Sequence, residues 1–187
     1  MHTIVTGDGH CGYRVIASYL GLGDDGWKKV CLDLLQDLKN NHAKYNKVLS
    51  PLTSTEELTA SVDCMGTFAD VKHWMTMPSM GNVISSCYKI AVVHISDVQC
   101  LTFFPLRDPP PFEANNDILT IGYINGSHFV RLELTTDSPL PPVSKIWLQY
   151  SHRTARHWIT QYTSRIDKFK SIMSAGKTNM ATVEIIA

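Results

Sequence analysis

Asn125-Gly126 is the strongest constraint on the fold. It stands between Ile121-Gly122-Tyr123-Ile124 and Ser127-His128-Phe129-Val130-Arg131-Leu132. An Asn-Gly pair reverses the chain within two residues, so the apolar runs on either side must pair as neighbouring strands, at about Asp117–Tyr123 and Ser127–Leu134. Ala91–Ile95 and Cys100–Phe104 read as two further strands. The first half has helical spacing instead. Val15–Leu20 reads as a helix ending at Gly21 and Gly23. A second runs from about Trp27 to His42, with Val30, Leu34, Leu35 and Leu38 on one face and Asp24 or Asp25 able to cap it. Ser54 and Glu57 form a capping box. Asp70–Thr76 and Met80–Tyr88 read as short helices, and the prolines of Arg107–Phe112 make that stretch a loop. Helices first and a mostly antiparallel sheet later predict an α+β fold, with a small sheet packed between helices.

The tail has its own pattern. Trp147, Tyr150, Trp158, Tyr162, Ile166, Phe169 and Met173 recur mainly at three- and four-residue steps between Pro141-Pro142 and Gly176. This predicts one C-terminal helix of about thirty residues, roughly 45 Å long. Its aromatic stripe either packs on the domain or, with Arg153, Arg156, Arg165, Lys168 and Lys170 interleaved, projects toward a partner. The division expected is residues 1–138 and a helical extension, 139–187.

Charge and cysteine content narrow the function classes. Lys plus Arg and Asp plus Glu both number 17, so no electrostatic footprint points to nucleic acid or membrane. No apolar run has transmembrane length and the N-terminus reads as no signal peptide, so an intracellular protein is expected. The five cysteines include no Cys-x-x-Cys pair, which argues for a reducing compartment and against a disulfide framework or structural zinc. No cofactor is expected.

Gly7-Asp8-Gly9-His10-Cys11-Gly12-Tyr13-Arg14 carries the chemistry. It sets a thiol between glycines at the start of a helix. There the helix dipole and unpaired N–H groups favour the thiolate, which is the nucleophile. The alternative is a buried cysteine after a tight turn. A nucleophilic thiol needs a histidine to take its proton and return it to the leaving amine. His128, starting the second strand of the hairpin, is held rigidly enough to do this; otherwise it is a surface histidine beside a turn. His73 and His94 compete, and His94, alternating within an apolar strand, reads as structural.

Asp8, Gly9 and Cys11, followed far downstream by Ser127-His128-Phe129-Val130, resemble the ovarian-tumour (OTU) family of cysteine proteases, mostly deubiquitinases. His10 stands where that family usually has Asn. Trp74, Met77-Pro78-Ser79-Met80-Gly81 and Ala91-Val92-Val93-His94-Ile95 add to the likeness, which covers about residues 3–135. With Pro141-Pro142-Val143, Trp147 and Tyr150 it is similar above all to OTU-like domains of transposon-derived proteins. The resemblance implies a papain-type fold and hydrolysis of peptide or isopeptide bonds after the C-terminal Gly of ubiquitin. Cys11 would form a thioester, His128 would be the base, and backbone N–H groups around Gly9–Cys11 would hold the oxyanion. Gly9, His10, Tyr13, Trp74, Tyr123, Asn125, Ser127 and Phe129 are candidates for the oxyanion and substrate-tail region. Relatives often carry Asp or Asn two residues after the histidine, where this chain has Val130. The third member could be Asp8, Asn125, Thr3 or Thr6, or the site works as a dyad; Asp8 is the choice made here, shaping the loop or orienting the histidine. A silent ubiquitin-binding module and a hydrolase of another ubiquitin-like modifier are the alternatives.

Overall fold

Two short stretches of contact explain why the helical first half and the stranded second half of this chain meet where they do. The computed structural model describes residues 2–3, 5–50, 52–112 and 118–184, and only the backbone of residues 2, 3, 24 and 176–184. The Thr3 and Asp24 side chains, Asp117 and residues 185–187 lie outside the described residues.

The helices are α1 (Cys11–Tyr19), α2 (Trp27–Asn40), α3 (His42–Leu49), α4 (Thr55–Val62) and α5 (Ser79–Tyr88). Apolar spacing forms them: Val30, Cys31, Leu34 and Leu38 of α2 are all buried. The predicted capping box at α4 is present, with the Ser54 hydroxyl accepting from the Glu57 N–H and the Glu57 carboxylate accepting from the Ser54 N–H. The helix expected over Asp70–Thr76 is instead one 3-10 turn, Val71–His73, after which Trp74 is extended. The Trp74 indole donates to the Ala69 carbonyl at 3.1 Å, a bond that holds this segment against the first loop rather than in a helix.

The strands are β1 (His2–Thr3), β2 (Ala91–Ile95), β3 (Leu101–Phe103), β4 (Ile118–Ile124) and β5 (His128–Leu132). Among the described residues they form one sheet in the order β1-β5-β4-β2-β3. Only β2 and β4 run parallel; the other pairs are antiparallel, as predicted. Asn125 and Gly126 have φ of 54° and 65°, the left-handed pair that a two-residue hairpin needs. The register sets Tyr123 opposite Phe129, Ile121 opposite Arg131 and His94 opposite Ile121. Alternation therefore puts His94, Ile121, Tyr123, Phe129 and Arg131 on one face, and Ile124, His128 and Val130 on the other.

The first of the two contacts is α1 on β5. The Phe129 N–H donates to Sγ of Cys11 at the start of the helix. Arg131 donates to the Ser18 carbonyl at its end, where a cation suits the helix dipole. The second joins the tail to β3. Thr102 donates its N–H to the Pro142 carbonyl and its hydroxyl to that of Pro141, and accepts from the Ser144 N–H. The outer edge of β3 is thereby covered.

The tail is two helices, not the single one predicted: α6 (Lys145–Tyr150) and the long α7 (His157–Glu184), separated by Ser151–Arg156. Phe104 explains the break. Trp147 meets it edge-on at 5.3 Å, and Trp158 and Tyr162 stack on it at 6.0 and 5.3 Å. In one straight helix Trp147 and Trp158 would stand about 16 Å apart along the axis, too far to touch one ring. The chain turns between them, with the His152 N–H on the Leu106 carbonyl. Trp147, Trp158, Tyr162 and Ile166 join the main hydrophobic core.

Candidate active site

The loop before α1 is built around Asp8. Its carboxylate accepts from the His10 N–H at 3.0 Å and from Nε and Nη2 of Arg14 at 3.1 and 2.6 Å. The Asp8 carbonyl accepts from the Ala69 N–H. Gly9, at φ +86°, packs so tightly there that a Cβ would sit 2.3 Å from the Ala69 oxygen. Burial raises the Asp8 pKa, but the Arg14 guanidinium and the His10 N–H outweigh it and hold the carboxyl below its ordinary value.

His10 turns inward. Its ring stacks on Trp27 with centroids 3.7 Å apart, and Nε2 donates to the Gly66 carbonyl at 2.9 Å. Burial lowers its pKa, against the pull of the Gly66 carbonyl and Asp8. The imidazole is thus a packed core group, and the His10 N–H is already bonded to Asp8. The N–H groups of Cys11 and Gly12, in the first turn of α1, are the ones that face the thiol.

Cys11 is the first residue of α1 and 7% exposed. Its Sγ lies 3.5 Å from the N of Phe129, the residue next to His128. The His128 imidazole lies over Gly7, where a Cβ would be 3.8 Å from Cε1 and 3.9 Å from Nδ1. Thiol and imidazole thus flank the same end of β5, though 117 positions apart in sequence (128 − 11). The helix start was expected to favour thiolate. Instead burial raises the Cys11 pKa, with Asp8 adding to it, while the N–H groups of Phe129, Gly12 and Cys11 pull the other way. Desolvation outweighs three N–H groups because the thiolate is nearly cut off from water.

Of the remaining candidates, Phe129 and Tyr123 pack together at 4.7 Å on the α1 face of the sheet. Asn125 forms the hairpin turn, and the Ser127 hydroxyl donates to its carbonyl. Trp74 braces the loop through Ala69, and Tyr13 is buried in the core away from solvent. Thr6 is exposed. Val130 is 2% exposed and packs over Gly122, on the same strand face as His128. Among the described residues no carboxylate or amide side chain bonds the His128 ring. Arg14 and Arg131, which hold the loop and the helix, were missed in sequence because neither side chain does chemistry; Arg14, one turn after the cysteine, was the readable signal. Met75 was also missed: it packs against Gly12, whose Cβ would meet Cε at 2.5 Å.

Comparison with known proteins finds no matching family model and no matching curated protein. Solved structures do match. The viral OTU domain protease of Qalyub virus superposes with a TM-score of 0.51 at 13% identity, over 70% of this chain and 82% of its own. That of Dera Ghazi Khan virus gives 0.52 at 13% identity, over 72% and 81%. At 13% identity these matches speak to the fold, and the fold of this chain is that of an OTU domain.

Proposed function

We propose that this chain is a cysteine hydrolase that cleaves peptide and isopeptide bonds at the C-terminal glycine of ubiquitin. The observation that carries the reading is the Phe129 N–H on the Cys11 sulfur, which joins a helix-start thiol to the strand that His128 begins. In this mechanism His128 takes the thiol proton as Sγ attacks the carbonyl. The tetrahedral oxyanion is held by first-turn N–H groups of α1. His128 then protonates the leaving amine, and water hydrolyses the thioester. Because burial raises the thiol pKa, proton removal accompanies attack rather than preceding it.

Asp8 is a positioning residue that fixes the loop through the His10 N–H and Arg14. Gly9 and Trp74 complete the loop wall, Asn125 and Ser127 hold the turn before His128, and Phe129 borders the substrate tail. With Val130 where a polar residue would orient the imidazole, the catalytic unit is a Cys11–His128 dyad. Residues 1–138 form the catalytic portion, and 139–187 an extension whose aromatic residues complete its core. The link to transposon-derived OTU-like domains rests on Pro141-Pro142-Val143, the segment that bonds Thr102. The five free cysteines suit a reducing, intracellular setting.

Ubiquitin bearing a C-terminal electrophile tests this. Wild-type protein should be labelled at Cys11 alone; burial pushes Cys31 and Cys87 up to about 12. Cys11→Ala should abolish labelling, and His128→Ala should lower turnover at least about a hundredfold. Cleavage of ubiquitin chains by Cys11→Ala would sink the assignment. Val130 and the raised thiol pKa favour one second reading, a silent ubiquitin-binding module, which predicts binding of ubiquitin with no labelling. A related modifier as substrate would show as labelling by its own electrophile and not by ubiquitin's.

A further inference from the structure

The arginines of this chain differ in what balances their charge. Arg14 and Arg107 are ion-paired, with Asp8 at 2.6 Å and Asp37 at 2.8 Å. Arg153 and Arg156 are exposed, where water serves the charge. Arg131 and Arg165 are partly buried, and among the described residues neither has a carboxylate partner. Both bond neutral oxygens instead. Arg131 donates from Nη1 to the Ser18 carbonyl at 3.0 Å, and its guanidinium lies 5.6 Å over the Tyr19 ring. Arg165 donates from Nε to the Ser138 carbonyl at 2.7 Å and from Nη2 to that of Thr135 at 3.4 Å. A partly buried cation without a counter-charge costs free energy unless an anion meets it. Burial lowers the Arg165 pKa, and Tyr162 and Asp137 offset only part of that.

These two arginines line the same cavity, of about 250 Å³. It opens where β4 starts at Ile118, β5 ends at Leu132 and α1 ends at Tyr19. Cys11 and His128 begin the same helix and strand at their other ends. Cys11 and Tyr19 are eight residues apart, about 12 Å along the axis. No residue of the candidate active site lines the cavity.

The walls define the ligand. Among the described residues, Nε and Nη2 of Arg131 and Nη1 of Arg165 have no hydrogen-bond partner. Thr136, also on the wall, adds an exposed hydroxyl. Glu133 is the one carboxylate that lines the cavity, so the arginines leave it net positive. Asp137 stands on the adjoining turn, whose carbonyl Lys168 bonds at 3.3 Å. Two planar forks and a hydroxyl match a group with several acceptor oxygens and up to two negative charges. A carboxylate, with one charge, would balance one arginine and leave the other. A phosphoryl group balances both. The cavity is larger than the five atoms of a bare phosphate need, and Tyr19, Ile118, Leu132 and Leu134 remain to border an organic part.

We propose that this cavity is a binding site for a phosphate monoester, held by Arg131 and Arg165. The site is independent of the hydrolase reading, because binding there is measured without turnover.

The test is calorimetric titration of the full chain with ribose 5-phosphate, ribose, inorganic phosphate and acetyl-phosphoserine amide. Ribose 5-phosphate should bind, more weakly as salt is raised, and ribose should not bind. Inorganic phosphate should bind more weakly than the esters. Arg165→Gln should weaken ester binding about tenfold or more, the scale of one charge-assisted hydrogen bond. Arg165 also holds the Thr135–Ser138 turn, so two exposed positions provide variants that do not depend on it. Thr136→Glu puts a second carboxylate on the wall and should weaken binding at least about tenfold; Glu133→Gln removes the first and should tighten it about threefold. Tighter binding of ribose 5-phosphate than of acetyl-phosphoserine amide makes a free metabolite the source of the ester; the reverse makes it a phosphorylated side chain, and either supports the site. Equal affinity in wild type, Thr136→Glu and Glu133→Gln overturns the proposal, as does binding of ribose as tight as that of its phosphate. Inorganic phosphate that binds as tightly as both esters overturns the ester and leaves a site for the bare ion. No binding of any of the phosphates at millimolar concentration overturns the site altogether, with the hydrolase reading untouched.

Discussion

Asp8 is engaged by three N–H donors, one from the His10 backbone and two from Arg14, which defines what a substitution there removes. Asn at this position still accepts from the His10 N–H and, through the same amide oxygen, from Arg14, losing the charge and the second oxygen; Ala accepts from neither. Asp8→Asn should therefore keep turnover within about tenfold of wild type, and Asp8→Ala should lose about a hundredfold, since hydrogen bonds to charged groups are each worth about 1.5–3 kcal/mol and tenfold in rate is about 1.4. Steady-state kinetics on a ubiquitin–aminomethylcoumarin substrate decide. Equal, severe losses of kcat in both variants at unchanged KM would mean that the carboxylate acts on His128 instead. His10 follows the same logic from the other side: a residue that looks like part of the reacting loop in the sequence is a stacked core ring, because Trp27 offers it a flat face and Gly66 a carbonyl.

At the level of elements, β5 has two faces with different duties, and Val130 sits on the one that bears His128. Its side chain packs on Gly122, where an added Cβ would lie 3.0 Å from Val130 Cγ2. Val130→Asn should destabilise the protein by about 1–3 kcal/mol, the cost of a buried unpaired polar group, unless its amide finds the imidazole. A lower melting temperature with unchanged turnover is expected; a rise in turnover would show that His128 lacks orientation in the wild type. The elements themselves were largely legible in the sequence. Apolar spacing marked α1, α2 and α5, Ser54 and Glu57 marked α4, and Asn125-Gly126 fixed the hairpin, because each of these signals is local. Legibility failed where a distant partner decides. The break between α6 and α7 depends on the reach of Trp147 and Trp158 to Phe104, and the unwound stretch at Trp74 depends on Ala69. The thiol and the histidine were legible as residue types at characteristic positions. The raised thiol pKa was not, since it comes from burial that only the assembled fold creates.

At the scale of the whole molecule, burial holds two histidines of the described residues, His10 and His94, below their ordinary pKa. In the unfolded chain each titrates near about 6.5, so below that pH the unfolded state binds protons that the native state refuses. Their contribution is therefore undiminished above about pH 6.5 and is lost progressively as pH falls toward the lowered native values. Urea midpoints should drop between pH 7.5 and pH 5.5, and the drop should be smaller in His94→Gln. A midpoint independent of pH over this range would show that neither ring is held neutral. The hydrogen bond from Phe129 to Cys11 has a further consequence, in time rather than space. It joins residues 118 positions apart. During synthesis at about 5–20 residues per second, roughly 6–24 s pass between the appearance of the thiol and that of its histidine. The rings of Trp147, Trp158 and Tyr162 that cover Phe104 follow later still. A nascent chain therefore presents Cys11 without its partner strand until the hairpin has been made, and the proposed Cys11–His128 pair comes into being only then.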